Sequence, residues 1–185
     1  SKRPVLFITG GNQGAHTINE FIFGNLSKII QKYNVIHQTG SNTLFNDLDR
    51  ASSIASKFNE KGIVYLAKDY LFAEEIADAY NKSSVIVSRA GANSVTEFLA
   101  LKKKALLIPI PTTSGNEQFL NAELLQNLGL GIVLDQQKLS SINLMEELEK
   151  LESQEITNAE KIDELSSLHL AAQKKIVDEV EKILK

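Results

Sequence analysis

The chain has 185 residues, with no cysteine or tryptophan, one methionine and three prolines. Without cysteine there is no disulfide, no thiolate metal site and no cysteine nucleophile. No apolar run approaches the roughly 18–20 residues a membrane-spanning helix needs. No signal-peptide pattern opens the chain. A large excess of either charge is also missing. The net charge of −3 gives no global electrostatic case for nucleic acid. What is present, 43% hydrophobic and 23% charged residues, is the make-up expected of one soluble globular domain with a real core. Ser1-Lys2-Arg3-Pro4 leads almost directly into a strand, so the start reads as a cut inside a longer protein.

Short β-branched runs alternate with helical patterns along residues 1–138, the expected α/β core. Strands are expected at 5–9, 35–39, 62–66, 85–88, 105–110 and 131–134, with Pro109 and Pro111 ending the fifth. Helices are expected at 15–32, 72–81, 94–101 and 117–128, the last closed by Gly129. Residues 42–59 read as a polar helix or helical loop. Residues 139–185 read as a helical, charge-rich tail, with Leu144, Leu148, Leu151, Leu165, Leu168, Ala172, Ile176, Val180 and Ile183 at helical spacing. The sequence leaves open whether that tail packs on its own sheet or exposes an apolar stripe. Six alternations predict a doubly wound, Rossmann-like parallel sheet with helices on both faces. In the order 3-2-1-4-5-6, strands one and four meet at the switch point, where ligands bind.

Both of those strands end in small, glycine-rich corners. The first is Gly10-Gly11-Asn12-Gln13-Gly14, leading into a helix. The second is Ser88-Arg89-Ala90-Gly91-Ala92, where Ser94 and Glu97 have capping-box spacing. A strand that turns sharply into a helix presents free N–H groups and the positive end of a helix dipole, a seat for phosphate. Two such seats facing each other across one crevice suggest a ligand with a diphosphate between them. The glycines do not make G-x-G-x-x-G, the second strand ends in Gln38-Thr39 rather than an acidic ribose ligand, and there is no Walker A lysine. A nicotinamide, flavin or P-loop reading is therefore disfavoured. Asp47-Leu48-Asp49 spells D-x-D, but in a polar stretch where a solvated face is expected.

Three segments resemble the MurG glycosyltransferases over about residues 4–135. Gly10-Gly11-Asn12-Gln13-Gly14-Ala15 is similar to their GGSQGA loop. Ser88-Arg89-Ala90-Gly91-Ala92 with Glu97 is similar to their SRAGA-x-T-x-x-E segment. Glu117-Gln118-Phe119-Leu120-Asn121-Ala122 is similar to their HQ-x-x-NA segment. Asn12 stands where the family has Ser, and Glu117 where it has His or Gln. The resemblance implies one half of a GT-B fold, the C-terminal donor-binding domain of an inverting transferase. Such an enzyme moves N-acetylglucosamine from UDP-GlcNAc to undecaprenyl-pyrophosphoryl-MurNAc-pentapeptide, converting lipid I to lipid II in peptidoglycan synthesis. It implies no metal and no cofactor. The lipid-linked acceptor and the catalytic base are expected in an N-terminal domain without a counterpart in this chain. The implied location is cytoplasmic, peripheral at the inner face of a bacterial plasma membrane.

The resemblance also assigns residues. Gly11, Asn12, Gln13 and Gly14 would cradle the diphosphate, although a tight turn needs glycines in any case. Ala92, Asn93 and Ser94 would meet the diphosphate and sugar, with Ser94 also expected as a helix cap. Glu97 would accept from the ribose hydroxyls, or act as the return half of the capping box. Glu117, Gln118 and Asn121 would read the sugar, since amides both donate and accept. Phe72 and Ala73 match the uracil-recognising segment, or simply pack a helix start. Arg89 is expected to be structural or a carboxylate partner. His16, His37 and His169 are expected as surface or cap residues, and Lys102, Lys103 and Lys104 as a solvated turn rather than a membrane contact. Two other functions fit the same pattern: a stand-alone UDP-sugar-binding subunit that needs a membrane partner, or a UDP-sugar hydrolase or epimerase.

Overall fold

The computed structural model describes residues 3–59, 62–111 and 114–183. Ser1 and Lys2 lie outside the described residues, as do the side chains of His169, Ile176 and Ile183. In chain order the elements are β1 (Val5–Thr9), α1 (His16–Lys32), β2 (Asn34–Gln38), α2 (Asp47–Asn59), β3 (Tyr65–Lys68), α3 (Ala73–Lys82), β4 (Ser83–Ser88), α4 (Ala92–Ala100), β5 (Lys104–Leu107), α5 (Glu117–Asn127), β6 (Gly131–Val133), α6 (Leu144–Ser153) and α7 (Ala159–Ile183). The six strands form one sheet in the order β3-β2-β1-β4-β5-β6, and every pairing is parallel. Alternation along each strand splits the core between the two faces. Leu6 and Ile8 of β1 pack with α1, α2 and α6, whereas Phe7 packs with α3, α4, α5 and Ile162 of α7. The predicted doubly wound sheet and its switch point between β1 and β4 are thus observed.

Element boundaries differ where local hydrogen bonding overrides the apolar pattern. The third strand begins at Tyr65, not at residue 62. The Gly62 N–H donates to Asn59 O and the Ile63 N–H to Phe58 O, so those residues still close α2. The fifth strand ends at Leu107 rather than residue 110, because Pro109 has no N–H to continue the ladder. The fourth helix begins at Ala92, two residues before the predicted Ser94 start.

The region 139–185 is not one tail. Leu139, Leu144, Leu148 and Leu151 are buried in the core beneath β4 and β5, so α6 belongs to the domain. In α7 the first turns also pack on the core, through buried Ile162 and half-buried Leu165. Beyond them Leu168, Val177 and Val180 are exposed. Residues 102–104 form no free basic surface. Lys102 pairs with Asp163 at 2.7 Å, Lys103 Nζ donates to Ser83 O at 3.0 Å, and Lys104 Nζ donates to Glu152 O and Gln154 O at 2.7 and 2.5 Å. Arg89 Nη1 donates to Ile108 O at 2.8 Å, the structural role expected of it. Among the described residues no helix is long and apolar enough to cross a membrane.

Candidate functional site

A cleft of about 520 Å³ opens between the ends of β1 and β4. One wall is the first corner, Gly10 to Gln13, and the opposite wall is the start of α4 with Asn93, Ser94 and Glu97. Thr9 and Gln38 at the strand ends, and Ile76 and Tyr80 from α3, also line it. The two corners read from the sequence therefore face each other, as strand counting predicted.

The first corner is fixed by close approach of its backbone to the turn after β2. A Cβ on Gly14 would lie 2.1 Å from Thr39 O, and one on Gly40 would lie 2.1 Å from Gly14 N and Cα. Both glycines also take positive φ, 80° and 95°. No other residue fits either position. Gly11 differs, because a Cβ there would meet nothing within 4 Å, although its φ is 82°. The Gly11 N–H donates to Thr9 Oγ1 at 3.0 Å and the Gly14 N–H to Gly11 O at 3.0 Å. The donors left for a ligand are the Asn12 and Gln13 amides. Asn12 O accepts from Ser41 N at 3.0 Å, and the trans peptide aims the Gln13 N–H the opposite way.

Behind this corner lies a directed hydrogen-bond chain. Tyr65 Oη and His37 Nδ1 are 2.7 Å apart, and His37 Nε2 and Asn19 Oδ1 are 3.0 Å apart. Asn19 Nδ2 donates to Thr39 O at 2.9 Å and to Asp47 Oδ2 at 2.7 Å. Because Nδ2 donates, Oδ1 must accept from His37 Nε2–H, which leaves Nδ1 to accept from the Tyr65 hydroxyl. The sequence expectation that His37 is a surface or cap residue is corrected, because it is fully buried. Burial lowers its pKa from 6.5 to about 3, with the Asp47 carboxylate partly opposing.

Asp47 likewise corrects the solvated-face expectation. It is buried at the start of α2, where it also accepts from His16 Nδ1 at 3.0 Å. His16 stacks on Phe45 with ring centroids 3.8 Å apart. His16, Glu20 and Asp47 bring possible metal-ligand atoms within 4.8 Å of one another. Their carboxylates are already engaged, Asp47 by Asn19 and Glu20 by Arg50.

The second corner is capped differently from the capping-box expectation. Gly91 is the N-cap and no side chain caps the helix. Ser94 is the third helical residue, so it cannot occupy the cap position. The Ala92, Asn93 and Ser94 amides precede the first intrahelical bond, Val95 N–H to Gly91 O at 3.0 Å. Glu97 therefore has no return role at the cap. Its Oε2 accepts from Tyr80 Oη at 2.7 Å instead. Burial, and then this bond, push the Tyr80 phenol well above its ordinary pKa, so it remains a donor.

In the third motif Asn121 braces the second corner and Gln118 the segment after β5, and neither is among the residues lining the cleft. Asn121 Nδ2 donates to Ala90 O at 3.2 Å, and Gln118 Oε1 accepts from the Ile110 N–H at 3.1 Å. Glu117 is exposed at the first turn of α5. Beside α5 lies another cavity of about 410 Å³, walled by Pro109, Ile110, Phe119 and Leu134. Phe72 and Ala73 are exposed at the start of α3, with Phe72 edge-on to Tyr70 at 5.2 Å. Sequence reasoning missed Thr9, Gln38, Ile76 and Tyr80 as cleft residues. The Thr9↔Gln38 register of β1 and β2 was the signal that could have found Gln38.

A sequence model of the glycosyltransferase family 28 C-terminal domain matches residues 5–180. The UDP-N-acetylglucosamine--N-acetylmuramyl-(pentapeptide) pyrophosphoryl-undecaprenol N-acetylglucosamine transferase of Clostridium botulinum (strain Kyoto / Type A2) is 39% identical over 150 residues, 80% of this chain. The chain spans only 39% of that relative's length. Among solved structures, Acinetobacter baumannii MurG superposes with a TM-score of 0.58 at 22% identity, covering 94% of this chain and 42% of that one. The calicheamicin glycosyltransferase CalG4 superposes with a TM-score of 0.65 at 21% identity, covering 100% of this chain and 43% of that one. At those identities the superpositions establish a shared Rossmann-like glycosyltransferase fold, and the family match adds the lineage: the chain belongs to the glycosyltransferase family 28 C-terminal domain.

Proposed function

We propose that the chain is the UDP-N-acetylglucosamine-binding domain of a transferase that glycosylates undecaprenyl-pyrophosphoryl-MurNAc-pentapeptide. The observation that carries this reading is the cleft that sets the Gly11–Gln13 corner against Ser94 and Glu97. The name of the botulinum relative supports the choice of donor and acceptor. In this reading the diphosphate lies between the corners, the ribose hydroxyls donate to Glu97, and the sugar extends beyond the cleft lining towards the third-motif residues Glu117, Gln118 and Asn121. Phe72 and Ala73 lie beside the uracil. Gly14 contributes by shaping the corner.

The domain's part in catalysis is electrostatic. As the anomeric bond breaks, negative charge grows on the departing UDP. Amides of Asn12 and Gln13 and of Ala92, Asn93 and Ser94 stabilise that charge from fixed positions, aided by the α4 dipole. The reading calls for no metal or cofactor. The acceptor hydroxyl and its base come from a further domain, consistent with the 39% share of the relative's length matched here. The full protein works peripherally at the cytoplasmic face of the plasma membrane, where its lipid-linked acceptor resides.

Calorimetric titration of this chain with UDP-GlcNAc, UDP, UDP-GalNAc and NAD tests the reading. Binding of the UDP ligands without NAD is the expected result, with GlcNAc preferred over GalNAc. Binding of NAD without UDP would overturn it.

A further inference from the structure

Among the described residues, three buried side-chain atoms have no hydrogen-bond partner: Asn34 Oδ1, Gln38 Nε2 and Gln136 Oε1. Gln38 Nε2 is the one donor of the three, and Gln38 also lines the cleft between the two corners. Gln38 is 1% exposed, so water does not compensate that donor. A buried N–H without an acceptor is costly, and natural proteins keep few of them. The oxygen of the amide is engaged from the other side. Thr9 Oγ1 accepts from the Gly11 N–H at 3.0 Å, so its hydroxyl proton is available and donates to Gln38 Oε1 at 3.1 Å. With Oε1 so engaged, Nε2 is left without an acceptor. None of the residues lining the cleft is cationic, and Glu97 is negative. An anionic ligand there depends on neutral donors, and each additional one counts.

We infer that Gln38 Nε2 donates to a phosphate oxygen of the nucleoside diphosphate held between the corners, making Gln38 a further ligand-binding residue. This inference rests on the uridine diphosphate reading above. The same side chain couples ligand to scaffold. Its Oε1 holds Thr9, Thr9 holds the Gly11 amide, and its Nε2 meets the ligand. Neither corner motif includes Gln38, because it arrives from the neighbouring strand.

The experiment uses wild type, Gln38→Glu and Gln38→Met, each titrated with UDP and with uridine. Gln38→Glu keeps an oxygen to accept from Thr9 and removes the donor. Gln38→Met removes both without adding charge, and so covers failure of the glutamate variant to fold. The expected result is UDP binding weakened by about tenfold to a hundredfold, with uridine affinity unchanged. In wild type labelled with nitrogen-15, the Gln38 side-chain amide signal should move on adding UDP and stay still on adding uridine. Holding Thr9 in place would not by itself produce that shift. UDP binding equally well to wild type and both variants would overturn the role of Gln38 and leave the diphosphate reading intact. Failure of wild type to bind UDP would overturn both.

Discussion

The Tyr80 hydroxyl donates to Glu97 Oε2 at 2.7 Å, from a ring held edge-on between Phe7 and Phe98. Glu97 sits on an exposed face of α4, where a carboxylate would otherwise sample several rotamers. One fixed oxygen leaves the other to accept from the ribose proposed above. Tyr80→Phe keeps the ring packing and removes only this bond. A stability loss of about 1 kcal/mol is expected, measured by urea denaturation. UDP-GlcNAc affinity should fall several-fold, while Glu97→Gln, which keeps the fold, should cost more.

Ser94→Ala tests the capping arrangement. A true N-cap serine would cost about 1 kcal/mol on truncation. Because Gly91 holds the cap position, the expected loss is within about 0.5 kcal/mol. Thermal unfolding checks it. A loss as large as a cap residue's would place Ser94 back at the helix end.

The glycines of the first corner should separate cleanly. Gly14→Ala drives a methyl into the Thr39 carbonyl at 2.1 Å in a positive-φ position, and should cost more than about 2 kcal/mol. Gly11→Ala meets open space and carries only the φ penalty, about 1 kcal/mol. Its larger effect is expected on nucleotide binding, since Gly11 lines the cleft. Denaturation and titration of the two variants compare the effects directly.

His37 makes stability depend on pH in a known direction. Its folded-state pKa is lowered to about 3 from 6.5, so below pH 6.5 the unfolded chain binds a proton that the folded chain does not. The contribution is complete above about pH 6.5 and is lost progressively as pH falls towards 3. His37→Leu should be less stable at neutral pH, because it leaves Tyr65 Oη and Asn19 Oδ1 unpaired. It should also show a flatter pH profile. Asp47 faces the same network and is common to both proteins, so the difference between the two profiles belongs to His37. Urea denaturation from pH 4 to 8 measures it.

The alternation of β-branched runs with helical spacing was enough to predict six parallel strands and their order. That pattern reports burial on two faces, a property each segment carries alone. The corners were also legible, because glycines after a strand have few other uses. The same local reasoning failed where a partner lay far away in sequence. Ser94 and Glu97 have capping-box spacing, but α4 starts at Ala92, and Glu97 takes its bond from Tyr80, seventeen residues earlier. His37, isolated in sequence, proved to be the buried centre of a chain running from Tyr65 to Asp47. Asp47 lost its expected solvation because Asn19 and His16, on another helix, reach it first.

The sequence by itself determined the fold class, the place of the cleft at the β1–β4 switch point, and the family. Each follows from periodicity or short motifs, which are local. Only the tertiary structure decided which amides stay unsatisfied, which carboxylate oxygen is already held, and how far residues 139–185 join the core. Leu148 and Leu168 both lie in helical spacing, yet one is buried beneath β4 and β5 and the other is 57% exposed. A hydrogen bond or a burial depends on what arrives from elsewhere in the chain, and no single segment records that.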